Sequence, residues 1–206
     1  MKKAVIFDMD GTLVDSSVTI VNAINHVRGR LNLEPLETDL ILEKVNDPDL
    51  NPAMYFYEVP AFTPQHEAWF SNYYTENHER ELQLYSGVEK LLKSLKSKGF
   101  KLAIATNSYR GSTIESLSHL KIIDYFESLA CYDDVGRGKP APDMLIKNLK
   151  DLEIDAEDTV FIGDSERDLL ASKSAKIDYI MINWGFSDYK DAIHNIDELK
   201  KAILEA

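Results

Sequence analysis

The run Ala4-Val5-Ile6-Phe7-Asp8-Met9-Asp10-Gly11-Thr12 decides the fold of this chain. Its first four residues are apolar without alternation. That is the pattern of a strand buried on both faces, and such strands belong to parallel sheets covered by helices. Two carboxylates two residues apart and then a glycine follow at once. In open α/β sheets the residues just beyond the carboxyl ends of the strands line the ligand crevice. Two acids packed at that edge repel one another unless a cation joins them. One short stretch therefore predicts both a fold and a cation site.

Working outward from residues 3–8, strand-like apolar runs recur at 101–106, 129–132, 159–163 and 179–184. Helical periodicity fills the intervals: residues 88–98 put Val88, Leu91, Leu92 and Leu95 on one face and stop at Gly99. Residues 114–120, 142–152, 167–175 and 198–204 read as further helices. Strands alternating with helices of this length predict right-handed βαβ units and an α/β fold. The expected core is a doubly wound, mostly parallel five-stranded sheet of Rossmann-like type. Residues 16–82 break the rhythm, with helix patterns at 18–31 and 39–45 and a third helix capped by Thr63 and begun by Pro64. Asp47-Pro48 and Asn51-Pro52 read as turns. The core is thus expected in two pieces, 1–15 and 83–206, around a helical insertion. Trp69, Phe70, Tyr73 and Tyr74 form an aromatic stripe in that insertion, which could grip a substrate, although at this spacing packing is the commoner cause.

Composition excludes several classes of function. The 206 residues are 44% hydrophobic and 28% charged, ordinary for a folded globular chain. A net charge of −12 would repel nucleic acid and anionic membrane surfaces, so neither is an expected partner. It also makes an anionic substrate awkward unless a metal ion or a local group of cations reverses the field. The longest apolar runs fall far short of the roughly 20 residues of a membrane helix. The N-terminus reaches Asp8 and Asp10 too soon for a signal peptide, which predicts a cytoplasmic protein. Cys131 is the only cysteine, so no internal disulfide can form.

Three other strand ends carry polar groups. Val160-Phe161-Ile162-Gly163-Asp164-Ser165-Glu166-Arg167-Asp168 repeats the theme of an apolar strand followed by paired acids. Leu102 to Ala105 leads into Thr106-Asn107-Ser108, a hydroxyl and an amide placed where phosphate oxygens could accept hydrogen bonds. Gly136-Arg137-Gly138-Lys139-Pro140-Ala141-Pro142 presents a lysine in a loop stiffened by two prolines. Each motif alone also suits a turn or a helix cap. Their conjunction is what points to chemistry.

In the order D-x-D-G-T, T-N, G-K-P and G-D-x-x-x-D, the chain resembles the haloacid dehalogenase-like hydrolases. Within them it resembles the phosphoglycolate phosphatase-like branch, with a helical cap inserted after the first strand. Tyr85-Ser86-Gly87-Val88 and Asn183-Trp184-Gly185 extend the resemblance over nearly the whole chain. It implies a phosphatase acting on a small phosphorylated metabolite. Asp8 would be the nucleophile that becomes an aspartyl phosphate, and Asp10 the general acid and then base. Thr106, Asn107 and Lys139 would hold the phosphoryl oxygens, with Lys139 also offsetting charge on Asp8. Mg²⁺ would be held by Asp8, the Asp10 carbonyl and Asp164, supported by Asp168 directly or through water.

Other readings differ at visible residues. A dehalogenase needs no acid at position 10. A phosphomutase of the same branch shares the core and differs mainly in its cap. A phosphonatase would want a cap lysine, for which Lys44 is the candidate. A receiver-type signalling module would be shorter and would order its motifs differently. Asn46-Asp47-Pro48-Asp49 stands where related sequences often carry a glycine in a cap loop that helps choose substrate, which leaves the substrate open. Lys176 replaces a glycine that ends a helix in many relatives. Arg28, Arg30, Arg80, Arg110 and Arg137 could reach a second anionic group, although solvated surface is the simpler reading. The five histidines lack metal-ligand spacing.

Overall fold

In the computed structural model, which describes residues 2–45, 47, 49–184 and 191–206, every residue of β1 (Ala4–Phe7) is fully buried. After β1 the chain runs through β2 (Val14–Asp15), α1 (Ser17–Arg30), α2 (Thr38–Lys44), α3 (Pro52–Tyr57), α4 (Pro64–Glu81) and β3 (Gln83–Leu84). It continues through α5 (Val88–Ser97), β4 (Lys101–Ala105), α6 (Arg110–His119), β5 (Ser128–Ala130), α7 (Asp143–Leu152), β6 (Thr159–Gly163), α8 (Glu166–Ala175), β7 (Asp178–Met181) and α9 (Ile196–Glu205). The main sheet has the order β5-β4-β1-β6-β7, and every pairing in it is parallel. This is the expected doubly wound, five-stranded α/β architecture.

The central place of β1 sets the position of the site. Phe7 pairs with Ile104 on one side and Ile162 on the other. By that register Asp8 stands level with Ala105 and Gly163, so Thr106 and Asp164 begin their loops beside it. The crossovers leave on opposite sides of β1, the switch point at which doubly wound sheets open a crevice.

Small side chains allow close helix packing on one face of the sheet. Ala4, Ile6, Ala103, Ala105, Ala130 and Phe161 form one buried cluster with Met144, Leu145 and Leu152 of α7 and Ala171 of α8. The chain divides into two compact units, residues 1–15 with 83–206 and Ser16–Leu82. The first unit contains its own two exits: β2 and β3 pair antiparallel, Val14 with Leu84 and Asp15 with Gln83. Tyr85 N donates to Leu13 O at 3.1 Å and Trp184 Nε1 to Thr12 O at 2.9 Å, tying both exits to the strand ends.

The second unit packs α1 along α4 around Val21, Ile24, Val27, Ile41, Phe56 and Tyr57. Trp69 and Phe70 pack on that cluster and Tyr74 is buried, so these members of the aromatic stripe are core. Tyr73 instead donates to Glu81 Oε1 at 3.2 Å. Thr63 Oγ1 accepts from His66 N while His66 Nδ1 accepts from Thr63 N, a reciprocal cap with Pro64 in the first turn.

Several expectations need correction. Asn51-Pro52 starts a helix rather than marking only a turn: Asn51 Oδ1 accepts from Ala53 N and Met54 N. Cap and first-turn proline make the same dipeptide as a turn, and burial of Ala53, Phe56 and Tyr57 decides between them. Strands β4, β5 and β7 end earlier than the apolar runs that announced them, and α6 starts at Arg110 rather than 114 because Asp133 caps Arg110 N at 2.8 Å. Asn46, Pro48 and Gly185 of the quoted segments lie outside the described residues. Among the described residues no helix is long and apolar enough to cross a membrane.

Lys176 ends α8 in the left-handed region, at φ 59°. A side chain there costs about 1–2 kcal/mol, against roughly 0.5–1 kcal/mol of extra chain entropy for glycine. Lys176→Gly should therefore raise the melting temperature, by roughly 2–4 °C for each kcal/mol gained in a chain of this size. Thermal unfolding followed by circular dichroism tests this, and an unchanged or lower midpoint would show that the turn is not strained.

Candidate active site

One buried ammonium joins the end of β1 to the first turn of α8. Lys139 Nζ lies 2.6 Å from Asp8 Oδ1 and 2.7 Å from Asp168 Oδ1, with the lysine side chain only 4% exposed. Carboxylate oxygens of Asp8, Asp164 and Asp168 all lie within 4.8 Å of one another. Three acids against one ammonium leave two negative charges uncompensated when all are ionised. The donor set is all oxygen, which suits a hard divalent cation.

Electrostatics carry the mark of that imbalance. Burial pushes the Asp8 carboxyl up to about 7; Lys139 opposes the shift, and Asp168 and Asp10 add to it. Asp164, partly open to solvent, is raised well above the ordinary range by burial and by repulsion from Asp8 and Asp168, with Lys139 again opposing. For Lys139, burial disfavours the charge, yet Asp168 and Asp8 outweigh it and the net shift is upward. The ammonium stays charged. Mg²⁺ fits this group, because it would supply the two positive charges that the three carboxylates lack.

Glycines make room for the acids. Gly11 has φ 79°, and a Cβ there would lie 2.3 Å from Asp164 Oδ2. A Cβ on Gly163 would lie 2.6 Å from Asp168 Oδ2. Asp168 Oδ2 accepts from Ser165 Oγ at 2.6 Å and Ser165 N at 3.2 Å, while Asp168 N donates back to Ser165 Oγ. This reciprocal cap starts α8 and fixes one carboxylate oxygen, leaving the other against Lys139.

The other expected residues stand around this cluster. Asp10 Oδ2 accepts from Ser108 Oγ at 2.9 Å. Thr106 is buried and its Oγ1 accepts from Ser108 N at 3.1 Å, which orients the hydroxyl. The Asn107 side chain pairs with the main chain of Lys139 through two hydrogen bonds. Two of the arginines considered for a second anion are engaged elsewhere. Arg110 holds Asp134 and the Leu129 carbonyl, and Arg28 donates to the Phe56 and Glu34 carbonyls. Sequence reading missed Ser108 as the partner of Asp10, and no local pattern could have shown it across 98 positions. The Ser165-x-x-Asp168 cap was legible as spacing and went unread.

Comparisons with known proteins place the chain in a family. The model of the haloacid dehalogenase-like hydrolase family matches residues 5–182. The chain belongs to that family. This hydrolase is 33% identical over 203 residues to a phosphoglycolate phosphatase of Colwellia psychrerythraea, covering 92% of the chain and 88% of the relative. It is 26% identical over 180 residues to the pyrophosphatase PpaX of Halalkalibacterium halodurans, covering 87% and 83%. The crystal structure of a predicted phosphatase from Clostridium acetobutylicum superposes with a TM-score of 0.86 at 26% identity, over the full length of both chains.

The raised carboxyls have a consequence for the stability of this hydrolase. Without metal, Asp8 titrates at about 7 in the folded chain against an ordinary value of 3.8, and Asp164 shifts the same way. The folded state then holds more protons than the unfolded one, so stability falls as pH rises through that window. In chelator the melting temperature should drop between about pH 5 and about pH 7; with Mg²⁺, which favours the ionised carboxylates, the drop should be smaller and the Mg²⁺ stabilisation should grow with pH. Equal pH profiles with and without Mg²⁺ would overturn this account.

Proposed function

We propose that this enzyme hydrolyses a small phosphate monoester in two transfers, with Asp8 as nucleophile and Asp10 as the proton-transfer group. The observation that carries the reading is the buried Asp8–Lys139 contact at the end of the central strand. Lys139 fixes Oδ1 of Asp8 at 2.6 Å, which leaves the other carboxylate oxygen to attack. In the first transfer that oxygen bonds to phosphorus, the bond to the leaving oxygen breaks, and Asp10 gives the leaving oxygen its proton. In the second, Asp10 takes a proton from water as the water oxygen attacks phosphorus and releases Asp8. Thr106 and Lys139 stabilise the equatorial phosphoryl oxygens. Mg²⁺ held by Asp8, Asp164 and the Asp10 carbonyl, with Asp168 in support, would neutralise charge on the phosphoryl group and align it.

Features outside the cluster favour this reading over its alternatives. Receiver modules carry their third strand at the sheet centre, whereas here the first strand is central. An imine-forming lysine works best with a lowered pKa. Lys44 is shifted upward instead, first by its hydrogen bond to Glu43 and further by Asp47. The names of the relatives supply the first substrates to assay, phosphoglycolate and pyrophosphate.

Phosphate release from an aryl phosphate should vanish in chelator and return with Mg²⁺, and full activity in excess chelator would refute the metal's part. Asp8→Asn should abolish turnover. Asp10→Asn should lower it by roughly 10²- to 10⁴-fold. With an activated aryl phosphate that variant should give a burst of aryl alcohol and a phosphate adduct on Asp8, because the second transfer still needs a base. Rapid-quench mass measurement reads the adduct; its absence, or an active Asp8→Asn, would sink the mechanism.

A further inference from the structure

The amide of Asn107 makes a reciprocal pair with the main chain of one residue. Lys139 N donates to Asn107 Oδ1 at 2.8 Å, and Asn107 Nδ2 donates to Lys139 O at 3.1 Å. A residue offers its N–H and its C=O to the same side when its backbone is extended. The amide thus engages Lys139 as a neighbouring strand would.

That backbone matters because of what the side chain does. Lys139 Nζ has to meet Asp8 at 2.6 Å and Asp168 at 2.7 Å from the end of a flexible four-carbon stem. Its ammonium is placed only as well as its Cα. The loop around it is also fastened by a turn, Ala141 N to Gly138 O at 3.0 Å, and by Arg137 Nη2 to Asp143 Oδ2 at 3.1 Å. Gly138 adds a second observation. A Cβ at 138 would lie 2.7 Å from Asn107 Oδ1 and 2.9 Å from Tyr132 Cδ2, so the missing side chain is the space in which the Asn107 amide sits. No positive φ requires glycine there. Close approach does.

We propose that Asn107 is a positioning residue that acts on the reaction through Lys139, fixing the main chain from which the buried ammonium reaches Asp8, and that it is not itself a holder of the phosphoryl group. The inference rests on the role given to Lys139 under the proposed function. It separates Asn107 from Thr106, its neighbour in the same motif, whose hydroxyl has no such engagement with the lysine loop.

A double-variant cycle tests it. Turnover of an aryl phosphate with Mg²⁺, and affinity for inorganic phosphate by calorimetry, are measured for the parent, Asn107→Ala, Lys139→Ala and the double variant. Asn107→Ala should lower kcat by roughly 10- to 100-fold in the parent, the range for residues that orient a catalytic group. In the Lys139→Ala background it should cost less than about twofold in either readout. Calorimetry gives the answer even where Lys139→Ala turns over too slowly to follow. Gly138→Ala should reproduce the effect of Asn107→Ala and add little to it, and it replaces Asn107→Ala in the cycle if that variant does not fold. Equal losses from Asn107→Ala in both backgrounds would overturn the inference and leave the function standing. Full activity of Lys139→Ala would instead overturn the reading of Lys139, and the inference with it.

Discussion

Removing an ammonium from water is costly unless opposite charges receive it in good geometry, and the Lys139 side chain, 4% exposed, is received by Asp8 and Asp168. Those partners come from opposite ends of the chain. Asp8 follows the central strand, Asp168 lies in the first turn of α8, and Lys139 arrives on the loop before α7. The contact therefore holds three crossovers in one register at the sheet edge. Loss of either acid would leave the buried ammonium held from one side only, and loss of the lysine would leave acids crowded together. The Ser165 cap and Gly163, which makes room for Asp168, serve this contact first.

The charge of the whole molecule and the charge of the site have the same sign, because three acids face one ammonium. A net −12 repels anions in general, yet the ligand of a phosphatase is an anion. Lys139, joined by a divalent cation on the acids as proposed above, would concentrate positive charge at one strand edge, where surrounding protein weakens screening.

Much of this was legible in the sequence, for a physical reason. Buried parallel strands are apolar without alternation and stop where charges begin, so β1 and β6 announced both their ends and their acids. What stayed hidden was either too short for periodicity or too far apart for local pattern. The β2–β3 pair is two residues on each side, and α3 shares its opening Asn51-Pro52 with an ordinary turn. Ser108 meets Asp10, and Asn107 meets Lys139, only after the sheet has closed. The pairing of the Asn107 amide with the main chain of Lys139 spans 32 positions, and nothing near it in sequence shows that main chain.

The two short strands at the exits carry a consequence for ancestry and engineering. Asp15 and Gln83 are paired neighbours, so the chain leaves the sheet domain and re-enters it at a single point. Seen from that domain, everything from Ser16 to Leu82 occupies the place of a hairpin loop, and neither its length nor its content enters the strand order. Such a junction makes the inserted piece replaceable: one lineage can exchange it while keeping the chemical machinery, and a designer can graft another there with two splice points already held side by side.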